Sequence, residues 1–313
     1  MEPKGLSLLL KYNARLRASR HFRFNYNCNM EVRASSEVLE AFTALVKPGI
    51  EDERIDMLRA ALTFARVEYP NLDPGPYITQ IEELARRVSA KIDDSGEPVQ
   101  CIAALNYVLF DEEMFRGNTA DYYNPRNSFI NDVLDRRLGI PITLALLYME
   151  VARRAGFQLF GVGMPGHFML KHYDIDGRSF FIDAFERGSV LSEDDCRRKI
   201  ESIHAGQITL RPEFLLIVTR RQMLTRMLNN LRTIYLSRRD FRRAAQVVDL
   251  ILVIYPRSPE DVKQRAALRY NLNDLRGALS DFEEYVKMAP DASDAEEIRQ
   301  TALGLRRSMA KLN

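Results

Sequence analysis

Asp240-Phe241-Arg242-Arg243-Ala244, running on to Pro256, and Asp274-Leu275-Arg276-Gly277-Ala278, running on to Pro290, are one pattern written twice at an offset of 34 residues. Asp249 and Glu283 keep the same offset. Each copy reads as a helix pair. The small alanine after the turn lets two helices approach closely, and the proline ends the second helix before the next begins. Units of this kind bury their apolar faces on their neighbours, so an array is stable only when stacked. Two copies are visible and residues 291–313 supply a closing helix. Two repeats alone are marginal, so the array is expected to pack on other parts of the chain.

This period and these residues are the signature of the tetratricopeptide repeat (TPR), which assigns residues 206–313 to an all-α TPR region. Upstream the pattern changes. Pro141 suits the first position of a helix that runs to Ala155 and stops at Gly156. Ile142, Leu144, Ala145, Leu146, Leu147, Met149, Val151 and Ala152 make that helix apolar almost all round, so it is expected to be buried. A short helix from Ser128 to Arg137 precedes it. Strand-like runs follow at Leu159–Val162, His167–His172 and Ser179–Asp183, with Asp176-Gly177 as a hairpin turn between the last two. A buried helix followed by an antiparallel sheet predicts an α+β core over residues 96–205.

Residues 30–95 read as a helical N-terminal region. Ser36 is placed to cap a helix over Glu37–Leu45; Ile55, Leu58, Leu62 and Ala65 recur at helical spacing, and Tyr77–Val88 resumes the pattern after Pro70, Pro74, Gly75 and Pro76. Val99–Leu109 reads as one more helix beyond the turn-rich stretch 93–98. Residues 1–29 carry six basic side chains, from Lys4 to Arg23, against Glu2. They read as a disordered basic extension or as an upstream artefact of start-site choice, with Met30 the alternative start.

Composition excludes several classes. Lys plus Arg is 45 and Asp plus Glu is 43, a net charge of +2, with no nucleic-acid motif and no aromatic interleaving, so no nucleic acid is expected as partner. No run of 18 apolar residues exists and the run Leu6–Leu10 is too short for a signal peptide, so no membrane role and a cytoplasmic location are expected. Cys28, Cys101 and Cys196 are odd in number and lack CxxC spacing, which argues against disulfides and structural zinc; no cofactor and no metal are expected.

His167 and Asp183 are the chemical candidates. Adjacent antiparallel strands can bring them side by side, and a His oriented by an Asp is half of a nucleophile–base–orienter constellation. A His in a tight turn and an Asp closing a strand are the plainer alternative. Gly161-Val162-Gly163-Met164-Pro165-Gly166 spells GxGxxG, but a strand-like run follows it where a dinucleotide site needs a helix. His172 lies five residues from His167 and faces the other side of a strand, Asp174 and Asp176 read as hairpin polarity, and His204 is a lone histidine.

Tyr122-Tyr123-Asn124-Pro125-Arg126-Asn127-Ser128, Arg136-Arg137-Leu138-Gly139-Ile140-Pro141-Ile142-Thr143-Leu144, Pro165-Gly166-His167-Phe168 and Ile182-Asp183-Ala184-Phe185 occur in the order in which similar motifs occur in the SirB-type family, which the chain resembles from about Ala90 to its end. The resemblance implies a transglutaminase-like (cysteine-peptidase-like) α+β core followed by TPR repeats. It also implies a frame in which Gly-x-Cys opens the buried helix, followed by His and Asp. Here Gly139-Ile140-Pro141 takes the place of Gly-x-Cys, so Pro141, which has no nucleophilic atom, stands at the nucleophile position, with His167 and Asp183 at the other two. Thr143, in the first helical turn, is the substitute nucleophile to examine, although its hydroxyl is far harder to ionise than a thiol. Cys101 and Cys196 lie outside the motif. Asn127 and Pro141 are expected to line the groove.

Two readings follow. The first is a non-catalytic adaptor with a degenerate groove and a protein- or peptide-binding TPR region, in which Arg232, Arg239 and Arg243 are candidates for holding a peptide carboxylate. The second is an acyl-transfer or amide-hydrolysing enzyme using His167 as base, Asp183 as orienter and a non-standard nucleophile.

Overall fold

A computed structural model describes residues 28–93, 97–173 and 179–310; the basic residues 1–27 and the Asp176-Gly177 turn lie outside the described residues. Helix α1 (Cys28–Val46) is followed by α2 (Met57–Ala65), α3 (Gly75–Ser89) and α4 (Pro98–Asn106), then strand β1 (Arg116–Gly117), α5 (Ile130–Arg136), β2 (Leu138–Gly139) and α6 (Pro141–Arg154). The sheet strands β3 (Phe160–Val162), β4 (Met169–Tyr173), β5 (Ser179–Asp183) and β6 (Ser189–Leu191) come next, then α7 (Glu193–Ile203), α8 (Arg220–Ser237), α9 (Phe241–Ile254), α10 (Pro259–Asn271), α11 (Leu275–Met288) and α12 (Ala295–Ala310). They fall into two compact units. One is Ile50–Asn230; the other joins α1 to Leu231–Asn313.

In the first unit α6 is the central helix. Every residue from Pro141 to Tyr148 is buried, and the helix packs on β4 and against α2, α3, α4 and α5. Its start is set by Pro141 at the first position, after Ile140 in an extended conformation (φ −105°, ψ 168°). Gly156, at φ +85°, takes the chain out of the helix. The sheet is an antiparallel meander in the order β3-β4-β5-β6, with Leu170 opposite Ile182 and Tyr173 opposite Ser179. Val162, Met164, Met169, Phe181, Cys196 and Ile200 form a core between this sheet and α7. The architecture is the expected α+β core with its helices on the N-terminal side.

Four local expectations shift. The strand expected from His167 begins at Met169, because Gly166 (φ +70°) and the bond from His167 N–H to Met164 C=O (3.2 Å) hold His167 in the preceding turn. The helix expected at Ser128 opens at Ile130 and ends on Arg137 in the left-handed conformation (φ +61°). The helix expected to Leu109 ends at Asn106 and widens into a π-turn over Tyr107–Glu112. Ser36 lies inside α1, where its hydroxyl donates to Glu40 Oε1 (3.1 Å), and so caps nothing.

In the second unit the duplicated residues have matching duties. Asp240 and Asp274 are the N-caps of α9 and α11, accepting from Arg243 N–H (3.1 Å) and Gly277 N–H (2.9 Å). Arg239 (φ +58°) and Asn273 (φ +64°) turn the chain just before each cap. Ala244 and Ala278 are fully buried where the helices approach. Helix α1 packs on α9, with Val38, Phe42 and Val46, one turn apart on one face, all buried. Among the described residues no helix is long and apolar enough to cross a membrane.

Candidate functional site

The β4–β5 register and the Gly166 turn place His167 and Asp183 side by side, Nε2 to Oδ2 at 2.8 Å, with His167 only 6% exposed and Asp183 fully buried. Lys199, on α7, reaches the same Oδ2 at 2.9 Å. The other carboxylate oxygen accepts from the backbone N–H groups of Phe185 (3.0 Å) and Glu186 (3.3 Å). Burial works against the ionised form, but the His167 and Lys199 bonds and charges outweigh it, so the Asp183 pKa lies below the ordinary carboxylate value. With Asp183 ionised, Nε2 is the donor in this bond.

The pair opens on a cavity of about 520 Å³. Its lining includes Pro141 and His167, the aromatic rings of Tyr122 and Phe185, Glu186, and Arg198, Lys199, Ser202 and Ile203 of α7. No cysteine is among its lining residues. Cys101 and Cys196 are both buried; burial raises the Cys101 pKa, and burial with the nearby acids Asp195, Glu193 and Asp183 pushes that of Cys196 up to about 12. Burial thus disfavours the thiolate, the reactive form, at both.

Pro141 is among the residues that line the cavity. Thr143 is not: it is fully buried, its hydroxyl donating to Asn127 C=O (2.8 Å) and accepting from Ile140 N–H (3.0 Å). It is the N-terminal brace of α6, and Gly139 makes room for it, since a Cβ there would meet the Thr143 hydroxyl at 2.9 Å. Asn127, expected in the groove, is fully buried beneath it. Its amide donates to Asp121 C=O (2.7 Å) and Tyr122 C=O (3.2 Å) and accepts from Asn118 Nδ2 (3.0 Å) and Arg136 Nη1 (3.3 Å). A short polar side chain with two donors and two acceptor lone pairs is suited to stapling a loop from inside, so Asn127 fixes Tyr122 from behind.

Several residues that build the site carry no signal in the sequence. Lys199 is one charge among many on a polar helix. Arg226 donates through Nη2 to the carbonyls of Met164 (2.7 Å) and His167 (2.6 Å), holding the histidine turn from below. His204 bonds Pro165 C=O through Nε2 (3.2 Å), steadying the same turn. His172 lies elsewhere, stacked on Phe157 and bonded to Gln158 C=O (2.9 Å). Asn106 bonds Gly188 C=O (3.1 Å) while accepting from the buried Tyr148 hydroxyl (2.9 Å), which ties the 184–188 loop to α6.

Gly188 has φ +73° and its absent Cβ would overlap the Asn106 amide. Gly188→Ala is therefore expected to cost about 2–5 kcal/mol: roughly 1–2 from the left-handed backbone and about 1–3 from the stranded Tyr148 hydroxyl. A urea melt beside wild type checks it, and Asn106→Gly combined with Gly188→Ala should not cost more than Asn106→Gly alone plus the backbone term.

In the repeat unit, Arg232 pairs with Asp261 (2.6 Å) and Arg243 with Asp240 (2.7 Å), while Arg239 occupies the inter-helix turn. Arg265 and Arg269 both reach the nearly buried Asp281 at 2.8 Å. Arg232, Arg243, Arg265 and Arg269 are each engaged with neighbouring acids. Among the described residues no three His, Cys, Asp or Glu side chains are grouped so as to hold a metal ion.

Residues 76–229 match the family model described as Transglutaminase-like superfamily, and residues 231–302 match that of the Tetratricopeptide repeat. The chain is 32% identical over 253 residues to a UPF0162 protein of Xylella fastidiosa, covering 80% of this chain and 90% of that one. It is 27% identical over 230 residues to a UPF0162 protein of Vibrio cholerae, 71% of this chain and 84% of that one. It is also 34% identical over 185 residues to F-box only protein 21 of Mus musculus, 55% of this chain and 28% of that protein.

Proposed function

Because the chain belongs to the UPF0162 protein family, with a transglutaminase-like domain joined to tetratricopeptide repeats, we propose that it is a non-catalytic adaptor, in which the transglutaminase-like cavity binds a ligand without turning it over and the repeat unit engages a protein. On the ordered motifs at 122–128, 136–144, 165–168 and 182–185 we assign it to the SirB type.

The observation that carries this reading is Pro141 lining the same cavity as His167, at the N-terminus of the buried helix where a thiolate would be favoured. Proline offers no nucleophile, and neither buried cysteine nor Thr143 takes its place. A second feature points the same way. Lys199 shares Asp183 Oδ2 with His167, so part of the carboxylate's charge is spent on a cation and less remains to stabilise a developing imidazolium. The intact His167–Asp183 pair is what favours the rival reading, an acyl-transfer or amide-hydrolysing enzyme with a non-standard nucleophile.

The test installs the missing atom. In a Cys28→Ser background, iodoacetamide at pH 7 should leave the chain unlabelled, because Cys101 and Cys196 are buried. Pro141→Cys should be labelled once, roughly tenfold faster than an ordinary cysteine if the helix terminus and His167 bring its pKa to about 7. Incubation of the wild type with activated acyl esters should give no covalent adduct by mass spectrometry. An acyl adduct on any wild-type side chain, or peptide hydrolysis that disappears in His167→Ala, overturns the adaptor reading.

A further inference from the structure

The charged side chains that line the cavity are not equally engaged. Lys199 lies on buried Asp183 (2.9 Å), and Arg198 bonds Asp195 through Nη2. Each cation therefore already has its acid. Glu186 lines the same cavity with its side chain 59% exposed. Its nearest cation, Lys199, stands at 4.0 Å, beyond hydrogen-bond reach. Among the described residues the Glu186 carboxylate accepts no hydrogen bond. The charge left over in the lining is thus a single negative one, on Glu186.

Aromatic rings share the cavity with it. Phe185, its neighbour in the chain, lines the cavity together with Tyr122. Their ring centroids are 6.5 Å apart with planes at 74°, and Tyr123, 71% exposed, meets Tyr122 at 5.4 Å and 77°. The backbone that carries these groups is fixed. Asp183 Oδ1 accepts from Phe185 N–H (3.0 Å) and Glu186 N–H (3.3 Å), and Asn127 donates to Tyr122 C=O (3.2 Å). The Phe185 ring lies over Gly117, where any Cβ would overlap it. A cation is drawn to the face of an aromatic ring by the ring quadrupole and to a carboxylate by its charge. Near-perpendicular rings and an unpartnered carboxylate, positioned in advance, therefore hold an organic cation at little cost in ordering. At about 520 Å³ the space lies within the range of small-ligand pockets.

We infer that the cavity holds a basic side chain of a peptide, arginine in preference to lysine, with its cation on Glu186 and against the rings of Tyr122 and Phe185. The preference follows from shape. A guanidinium is planar, stacks on a ring face and forks across both carboxylate oxygens, whereas an ammonium is a strongly hydrated point charge. This rests on the binding reading above and names its ligand class. The repeat unit has no part in it.

The chain contains no tryptophan, so a tryptophan-bearing probe is the sole source of indole fluorescence. The probes are the capped dipeptides acetyl-Trp-Arg-amide, acetyl-Trp-Lys-amide, acetyl-Trp-citrulline-amide and acetyl-Trp-Glu-amide, titrated with the full chain and followed by anisotropy, with each mixture then weighed by mass spectrometry. Citrulline keeps the shape of arginine without its charge. The arginine probe is expected to bind roughly tenfold more tightly than the citrulline probe, with lysine between them and glutamate weakest. Glu186→Gln, on an exposed side chain, should remove the preference for arginine over citrulline with an unchanged melting temperature. Tyr122→Ala should weaken the arginine probe about threefold. Arg198→Gln takes a like charge from the lining at a position 70% exposed, and should tighten the arginine probe. Equal or tighter binding of the citrulline or glutamate probe, an arginine preference that survives Glu186→Gln, unchanged binding in Tyr122→Ala, unchanged or weaker binding in Arg198→Gln, or no binding of any probe overturns the inference while leaving the binding reading in place. A probe returned with altered mass overturns the binding reading itself.

Discussion

Asp183→Ala is expected to destabilise the unit Ile50–Asn230 by about 3–5 kcal/mol, the usual cost of removing one member of a buried charged cluster. The residue is fully buried and its two oxygens serve His167, Lys199 and the backbone of Phe185 and Glu186. Alanine leaves the Lys199 ammonium without its close partner beneath the cavity, with only Glu186 at 4.0 Å, and frees the loop that carries Phe185. At about 2–4 °C per kcal/mol for a domain of this size, the melting temperature should fall by roughly 6–20 °C. The effect has a pH signature. Asp183 is held below the ordinary carboxylate pKa in the folded state, so its contribution is fully present above the unfolded value near 4 and is lost as the pH falls through the lower folded value. The stability gap between wild type and Asp183→Asn should therefore narrow as the pH falls below about 4. Urea melts across that range measure it, and a gap that widens in acid would show that the aspartate is not the ionised partner described here.

Phe42→Ala is expected to cost about 3–5 kcal/mol in the other unit. Phe42 is fully buried in the middle turn of the α1 face that packs on α9. Two repeats are a short array, stable only if each apolar face is covered, and α1 covers one. The unit should lose urea resistance, with hydrogen-exchange protection falling first in Phe241–Ile254. The substitution should leave the exchange of Pro141–Arg154 nearly unchanged, because that helix belongs to the separate unit. If protection of Phe241–Ile254 persists in Phe42→Ala, α1 is not part of the repeat fold.

How far the chain was legible depends on how local each feature is. The 34-residue recurrence was readable because Asp240 and Asp274 each cap a helix within three residues of themselves, and Ala244 and Ala278 each sit at a close helix approach. The buried helix was readable from its apolar circumference. His167 and Asp183 were candidates because adjacent strands can align two such residues, although the turn at Gly166 moved His167 ahead of the strand. Asn127 and Thr143 read as groove and chemistry from their motifs, but the structure bonds one to the other: the Thr143 hydroxyl donates to Asn127 C=O from a fully buried position. A polar residue inside a motif can be there to hold the motif's backbone, and spacing cannot separate that duty from contact with a ligand. Arg232 pairs with an acid 29 residues away that no spacing marks, whereas Arg243 pairs with Asp240, three residues before it.

By itself the sequence determined the order of the two domains, the buried helix, the runs that become β3, β4 and β5, the paired repeat helices, and the absence of a thiol at the head of Pro141–Arg154. Those properties depend on residues within one or two turns of each other, where backbone geometry converts spacing directly into a shared face or a cap. Only the tertiary structure decided that Lys199 neutralises the carboxylate beside His167, that Asn106 ties Gly188 to Tyr148, and that α1, at the start of the chain, lies on α9 near its end. These contacts join segments from 16 to more than 190 residues apart. Many partners on other elements could satisfy the same charge or apolar face equally well, and the choice among them is made by the packing of the whole core.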